Sequence, residues 1–420
     1  MNKRLEEWFR SIRATIMAYD VGGVSHQAHL EIVDTLEEQF HAVLHGADPF
    51  RRRVARSFVQ YLAQRQMRPR KNIVLAELAS YALLPGLSIY LLINGLVNKP
   101  TPHPRVAGRF WLISRLRYDV TPEIFHTPHE LSAESAPIAY TPLRYLRYAD
   151  IRFLVRVYLQ QMRLQKMPHG QWYLKIAKDI AWARATIEQF PCVYALMTDE
   201  CNCSLSVLTS YANQHGTSLY VVQHGDLFLS AYTAFFEANR SYCWAEFYVD
   251  ILKRLHARSD FRIYTNPAYV LSQEEKAIPA AGIGIFHPSF YSLTTAAERS
   301  AFAAAVRALA EHYPVRVRPH PAYFSEYEAM AEAYGPHVTL APASEETSKQ
   351  FALRHALIIG TTSAALLESL MLGRQVISIA GALVNNVAEY HFAYRMPNCT
   401  LSSIEELEQA AHRLMASPSH

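Results

Sequence analysis

The sequence contains no paired cysteine motif. Its five cysteines, an odd number, lie between Cys192 and Cys399 without a C-x-x-C spacing. This pattern argues against a disulfide framework and against a zinc site built from cysteines. We therefore expect reduced thiols and a cytoplasmic protein.

A long uninterrupted apolar segment is also lacking. Residues 1–13 carry no apolar run behind their basic residues, so no secretory signal is predicted. The most apolar segment, residues 78–97, is interrupted by Pro85, Gly86 and Asn94 and follows a strand-like segment at residues 73–76. We predict that it is a buried core segment and not a membrane span.

Several motifs that hold metals or phosphates are missing. There is no Asp-x-Asp pair of the kind that metal-dependent sugar transferases use, and no GxxxxGK[S/T] phosphate loop. His41 and His45 share a helix face, but without an H-E-x-x-H frame we expect them to face solvent. The sequence therefore predicts no metal ion and no cofactor.

Positive charge is concentrated in one short segment, although the net charge is only +4. Residues 51–71 contain seven arginines and one lysine. No RNA-recognition, zinc-finger or basic-zipper signature surrounds them, so no nucleic-acid partner is expected. Two interpretations stay open: peripheral contact with a membrane surface or polyanion, and a solvated helix face.

The length of 420 residues and the 50% apolar content fit two folded domains. Residues 1–72 have helical periodicity and are predicted to form a helical extension. From residue 73, short apolar runs alternate with helical patterns, which predicts parallel sheets. We place the domains at residues 73–275 and 276–420, with the boundary in a polar segment near residues 264–282.

Two polar clusters follow predicted strands in the first domain. Asp199 and Glu200 follow a strand at residues 193–197, and Gln223-His224-Gly225 follows the next strand at residues 219–222. A helix at residues 205–214 separates these strands. Because parallel strands end at the same sheet edge, the two clusters are expected to lie together, where open α/β sheets bind ligands.

The second domain has a hydroxyl-rich turn shaped for phosphate. A strand at residues 356–359 runs through Gly360-Thr361-Thr362-Ser363 into a helix that carries Glu368. Helix amino termini present unpaired N–H groups, and a carboxylate one turn further on can accept hydrogen bonds from ribose. Alternatively, Thr362 or Ser363 only caps the helix and Glu368 is solvated.

A second segment of this domain carries fixed polar groups. The strand at residues 315–318 leads from Arg318 to His320, which is held between two prolines. Rigid placement suits contact with a phosphate, with Arg318 supplying permanent charge. Ser289, after the strand at residues 283–286, is a weaker candidate for the same role.

Three motifs of this chain resemble those of the GT-B glycosyltransferases that build bacterial capsule and lipopolysaccharide. They are Gln223-His224-Gly225, Arg318-Pro319-His320-Pro321, and Thr362-Ser363 followed by Glu368. The resemblance covers about residues 190–395 and includes Kdo transferases, sialyl- and polysialyltransferases with a His-Pro motif, and teichoic acid polymerases. It implies two Rossmann-like domains facing across a cleft, with the helical extension ahead of them. It also implies that His320 and residues 361–363 contact the donor phosphate, with Glu368 at the ribose.

The resemblance leaves the catalytic base open. Sialyltransferases carry the base in an acidic-acidic-Gly motif, whereas this chain has Asp199-Glu200-Cys201. An inverting transfer needs one group within hydrogen-bond reach of the acceptor hydroxyl. Asp199, Glu200 and His224 are all candidates.

The expected activity is an inverting, metal-independent transfer of a sugar onto a bacterial surface glycan or glycolipid. The favoured donor is a CMP-activated acidic sugar such as Kdo or sialic acid. The alternatives are a CDP-polyol phosphotransferase of teichoic-acid type, a nucleotide-sugar epimerase and an inert binding subunit. We expect a cytoplasmic location, including the inner face of the cell membrane.

Overall fold

The computed structural model describes most of the chain. The described residues are 26–67, 74, 77–82, 89, 93, 110–112, 134–135, 146–189, 193–197, 200–223, 227, 229–264, 269–287, 295–319, 332–342, 344–361, 364–379, 396 and 398–416. Contacts between Cα atoms divide the chain into two compact units at Tyr264. Among the described residues, no helix is both long and apolar enough to cross a membrane.

The first unit begins with helices and continues as an α/β sheet. Its helices are α1 (His26–Leu44), α2 (Pro49–Gln66), α3 (Tyr148–Leu164), α4 (Gly170–Gln189), α5 (Leu205–Gln214) and α6 (Glu246–Arg254). Its strands are β1 (Phe110–Leu112), β2 (Glu134–Ser135), β3 (Tyr194–Met197), β4 (Ser218–Val222), β5 (Glu237–Cys243) and β6 (Arg258–Ile263). Of the helical segment predicted at residues 1–72, the structure describes residues 26–67, which form α1 and α2.

All pairings in the first sheet are parallel, and the strand order is β2-β1-β3-β4-β5-β6. The strand order therefore reverses between β1 and β3, with β2 on one side of this pair and β4 to β6 on the other. In the register, Leu196 and Met197 of β3 face Tyr220 and Val221 of β4. The carboxyl ends of β3 and β4 thus lie side by side, as the sequence predicted.

Helix α2 begins sharply and is largely buried. Asp48 caps it by accepting hydrogen bonds from the backbone N–H groups of Phe50 and Arg51, and Pro49 occupies the first turn. The helix packs against α3 and α5. It therefore belongs to the core of the first unit.

Three basic residues of α2 do not fit the interpretation as a solvated helix face. Arg52 and Arg56 are 9% and 2% exposed, and Arg52 makes a two-pronged contact with Glu237 at 2.8 and 3.0 Å. Arg53 Nε donates to the same carboxylate at 2.9 Å. These three arginines neutralise a buried acid of β5 and do not face solvent. Arg51 is 63% exposed, and residues 68–71 lie outside the described residues, so contact of the basic segment with a membrane surface or polyanion stays a prediction.

Two further expectations concern the apolar segment after residue 72. Val74, expected in a strand, is helical, because a short apolar run alone does not distinguish a helix from a strand. Leu78, Ile89 and Ile93 were expected in the core but are 60–61% exposed. Apolar atoms form more than half of ordinary protein surfaces, so apolarity alone does not place a residue inside.

The second unit contains another parallel six-stranded sheet. Its strands are β7 (Ile283–Phe286), β8 (Val315–Arg318), β9 (Val338–Leu340), β10 (Leu357–Gly360), β11 (Gln375–Ile379) and β12 (Cys399–Ser402). Its helices are α7 (Gln273–Lys276), α8 (Ala296–His312), α9 (Ser348–Arg354), α10 (Ala364–Met371) and α11 (Leu407–Ala416). The strand order is β12-β11-β10-β7-β8-β9.

The core of this unit lies between the sheet and its helices. Thr295 and Glu298 close a capping box at the start of α8, and Gly373, at φ +77°, follows α10. Burying each large apolar side chain contributes about 1.5–3 kcal/mol. The fully buried members of this core include Ile283, Ile285, Val306, Leu309, Val317, Ile359 and Ile377. The predicted fold class, two parallel α/β domains behind N-terminal helices, is confirmed.

Candidate functional site

The second sheet reverses its strand order between β7 and β10. Beyond β7 lie β8 and β9 on one side, and β10, β11 and β12 on the other. At such a switch point, the loops that leave the two central strands diverge and open a crevice at their carboxyl ends, where ligands bind. The strand order therefore predicts a crevice at the carboxyl ends of β7 and β10, which end at Phe286 and Gly360.

Arg318 is fixed at this edge by the strand pairing. It faces Phe286 across β7 and β8, and its carbonyl accepts a hydrogen bond of 3.0 Å from the His287 N–H. The Arg318 side chain is 7% exposed. A buried guanidinium next to the crevice is a permanent positive charge that water screens weakly, which suits a phosphate contact.

Gly360 allows the turn after β10 to lie close to β7. A Cβ atom on Gly360 would lie 3.1 Å from the carbonyl oxygen of Phe286 and 3.2 Å from Leu366 Cδ2. Any side chain at this position would therefore require Phe286 or Leu366 to shift by a few tenths of an ångström. Glycines that permit close backbone approach are typical of phosphate-binding turns.

Helix α10 starts beside the crevice. Its first-turn N–H groups have no acceptor within the helix and carry the positive end of the helix dipole. Thr361, just ahead of α10, is 6% exposed. Glu368, the fifth residue of α10, is half-buried. The turn thus combines hydrogen-bond donors for a phosphate with a carboxylate one turn away.

Ser378 is a polar residue of this edge that sequence reasoning missed. It faces Gly360 in the β10–β11 register, is fully buried, and its hydroxyl has no hydrogen-bond partner among the described residues. A serine within the apolar β11 is the signal that could have indicated it, since a buried hydroxyl normally has a partner.

In the first unit, Glu200 follows β3 at the switch point between β1 and β3. It is 1% exposed, and its carbonyl accepts a 3.0 Å hydrogen bond from the side chain of Gln60. Burial raises the pKa of the nearby Cys243 thiol, and the charge of Glu200 raises it further. The thiol therefore stays protonated and is not a nucleophile.

The loop after Glu200 is held by helix α2. Gln64 donates to the carbonyl of Cys201 at 2.6 Å, and Ser57 donates to the carbonyl of Cys203 at 2.6 Å. These residues and Gln60 are uncharged polar residues on the buried part of a basic helix. Sequence reasoning missed their role because their partners lie about 140 residues further along the chain.

The end of β4 is tied to the end of β5 through Gln223. Its side-chain oxygen accepts a 2.9 Å hydrogen bond from the Trp244 N–H, and its own N–H donates to the carbonyl of Tyr242. Gln223 is 1% exposed. It therefore fixes the carboxyl end of β4 to that of β5.

The structure describes four of the ten predicted site residues. Arg318 and Thr361 lie at the same edge of the second sheet, on either side of β7, with Glu368 one helical turn beyond, and Glu200 lies in the first unit. The remaining six stay predictions because they lie outside the described residues: Asp199, His224, Ser289, His320, Thr362 and Ser363.

No family model and no curated protein matches this sequence. Among solved structures, a mutant of Thermobaculum terrenum O-GlcNAc transferase is 14% identical, with a TM-score of 0.40 over 95% of this chain and 78% of the other. Acinetobacter baumannii MurG is 12% identical, with a TM-score of 0.37 over 74% and 91%. The wall teichoic acid polymerase TagF is 9% identical, with a TM-score of 0.37 over 82% and 88%.

Proposed function

We propose that this chain is an inverting, metal-independent glycosyltransferase of the GT-B type. The second unit binds the nucleotide of an activated sugar, and the first supplies the base that acts on a glycan or glycolipid acceptor. The observation that carries the proposal is the switch point between β7 and β10. Gly360, Thr361 and the start of α10 follow one another there, and Arg318 ends β8 on the other side of β7.

The transfer balances without an added reactant. The acceptor oxygen forms a bond to the anomeric carbon as the bond from that carbon to the donor phosphate breaks. The base takes the acceptor proton, and the nucleotide leaves with its phosphate negatively charged. Arg318, His320 and the N–H groups of α10 stabilise the charge that grows on this phosphate, which is the role a metal ion plays elsewhere.

The favoured donor is a CMP-activated acidic sugar such as Kdo or sialic acid. This preference rests on the likeness of the His320 and Thr361–Ser363 motifs to capsule-type transferases. Glu368 is assigned to the ribose, because it stands one helical turn beyond the phosphate turn. The acceptor is a bacterial surface glycan or glycolipid.

Calorimetric titration tests the donor site. Purified protein is titrated with CMP, CDP and UDP without divalent metal, comparing wild type with His320→Ala. We expect CMP to bind wild type and to bind His320→Ala at least tenfold more weakly, the loss of a charge-assisted hydrogen bond. His337→Ala is the matched control, because His337 is exposed and precedes β9 at the opposite sheet edge.

Product analysis separates the alternatives. A sugar on the acceptor with release of CMP supports the proposal, whereas transfer of a phosphate with the polyol indicates a phosphotransferase. Turnover without an acceptor indicates an epimerase. Failure of wild type to bind any nucleotide overturns the transferase proposal and indicates an inert subunit.

The catalytic base is tested with Asp199→Asn, Glu200→Gln and His224→Ala. Loss of the base lowers kcat by about 10²–10⁴-fold while donor affinity stays near that of wild type. The two variants that leave the base intact serve as controls for each other. Equal kcat in all three variants and wild type would exclude this set.

A further inference from the structure

A glutamate and two histidines converge at the end of α1. Glu37, His41 and His45 are spaced by four residues and so lie on one helix face. Glu37 Oε1 lies 2.9 Å from His41 Nδ1 and 2.7 Å from His45 Nε2. The ligand atoms of all three residues lie within 4.8 Å of one another.

These distances are close to those of a metal site. Zinc binds imidazole nitrogen and carboxylate oxygen at about 2.0–2.2 Å, so neighbouring ligands in a tetrahedral site lie about 3.3 Å apart. Replacing the shared protons by an ion requires each histidine to move by about half an ångström. Both can do so, because His41 and His45 are 69% and 48% exposed.

The second carboxylate oxygen gives an independent indication of a ligand. Glu37 Oε2 is buried and has no hydrogen-bond partner among the described residues, with His256 Nδ1 3.8 Å away. Glu37 Oε1 already accepts from both histidines, so the carboxylate has acceptor capacity to spare at its second oxygen.

The surroundings hold this cluster against the first sheet. Arg254 donates two hydrogen bonds to Asp34, one turn before Glu37, at 2.7 and 2.8 Å. The His256 ring stacks on Phe235 with centroids 5.8 Å apart. Phe235 and His256 immediately precede β5 and β6, so the cluster lies at the amino edge of the sheet, opposite the edge that Glu200 follows.

We propose that Glu37, His41 and His45 bind one divalent transition-metal ion, with Zn²⁺ as the best-matched ion. Two imidazoles and a carboxylate are ligands that zinc prefers, and water completes the coordination. The ion joins the last turn of α1 to the residue that follows the helix. Because it lies at the amino edge, its role is structural and leaves the proposed transfer independent of metal.

The site is tested on the full chain after treatment with a chelator. Titration with ZnCl₂ is expected to show one bound ion per chain. His41→Ala and His45→Ala should each weaken binding on the order of a hundredfold, more than loss of an outer-shell partner usually costs. Both substitutions replace exposed side chains, so both variants are expected to fold.

His412→Ala is the matched control. His412 lies 3.7 Å from Glu408, four residues away on α11, and no third ligand completes this pair among the described residues. The affinity of the His412→Ala variant for Zn²⁺ should equal that of wild type. Zn²⁺ should also raise the Tm of wild type and the control, but not of His41→Ala.

The proposal is overturned if wild type binds no zinc, or if His41→Ala and His45→Ala bind it as tightly as His412→Ala does. Substitution by Co²⁺ gives a second readout, because its visible absorption reports coordination by protein ligands. Wild-type absorption that is unchanged in His45→Ala would equally exclude the site.

Discussion

Glu237 is surrounded by three arginines of one helix, and this makes it a sensitive residue. Burial lowers the pKa of Arg56 to about 10, which shows how little water reaches the cluster. Arg56 also donates to the carbonyl of His256, and its Nε lies 3.8 Å from Glu237. All three guanidinium groups of this cluster pair with the one carboxylate of Glu237.

Glu237→Gln is expected to destabilise the protein strongly. Removing the shared acid leaves buried guanidinium groups uncompensated, which costs about 3–5 kcal/mol of unfolding free energy. Urea denaturation measures the loss. Asp260→Asn is the control, because the Arg240–Asp260 pair joins β5 and β6 but is 35–40% exposed and should contribute less than about 1 kcal/mol.

Glu237 also predicts a dependence of stability on pH. Burial raises its pKa, but the hydrogen bond from Arg52 and the charges of the arginines lower it, so the net pKa is below 4.5. A carboxylate with a lowered pKa stabilises the fold above its unfolded pKa, and this contribution is lost as pH falls through the folded pKa. Wild type should therefore lose more unfolding free energy between pH 6 and about pH 3 than Glu237→Gln does.

Denaturant midpoints at both pH values measure this difference. Equal losses in wild type and Glu237→Gln would show that other carboxylates dominate acid unfolding.

The sequence indicated the arginines of residues 51–71 but not their pairing with Glu237. Arg52 and Glu237 are 185 residues apart, and no local pattern relates them.

At the scale of elements, local patterns predicted four of the six strands and two of the five helices that the structure describes in the second unit. The strands at residues 283–286 and 315–318 and the helix α5 appear with the predicted bounds, because periodicity and turn residues are local signals. The burial of α2 could not be predicted, since a basic helix becomes a core helix only through distant partners. The crevice at β7 and β10 was only partly predicted, because no single segment of the sequence determines the order of the strands in the sheet.

Gly360→Ala is expected to weaken nucleotide binding. The added Cβ would press on the Phe286 carbonyl and on Leu366, so the turn and the start of α10 must move away from β7. Overpacking of this kind typically costs about 1–3 kcal/mol. Calorimetry with CMP should show at least a tenfold loss of affinity.

Gly373→Asn at the other end of α10 is the matched control. Gly373 has φ +77°, a Cβ there would meet nothing within 4 Å, and asparagine tolerates the left-handed conformation. CMP affinity should equal that of wild type. If both variants lost affinity equally, the effect would belong to the stability of the helix and not to the crevice.

At the scale of the whole molecule, the two units predict separate responses to ligand. A nucleotide bound at the switch point of the second sheet stabilises the segments that contact it. Hydrogen exchange should slow in the segment after β7 and at the start of α10 when CMP is saturating. Exchange in α1 and α2, which belong to the first unit, should not change.

Mass spectrometry of exchanged peptides from the full chain measures this pattern. UDP at the same concentration is the control for nucleotide specificity, and it should protect the same segments less. Protection confined to the loop after β3 would place the nucleotide in the first unit and contradict the assignment. The two parallel sheets were predicted from sequence, but which unit binds the donor is tested only by such an experiment.

The pairing of α2 with β5 also has a consequence for synthesis on the ribosome. Glu237 is translated 185 residues after Arg52, which takes roughly 10–40 seconds at 5–20 residues per second. During that interval the nascent chain carries a strongly basic segment with no acid to neutralise it. The first unit can complete its core only when β5 has emerged, so its folding must wait for the later half of its own translation.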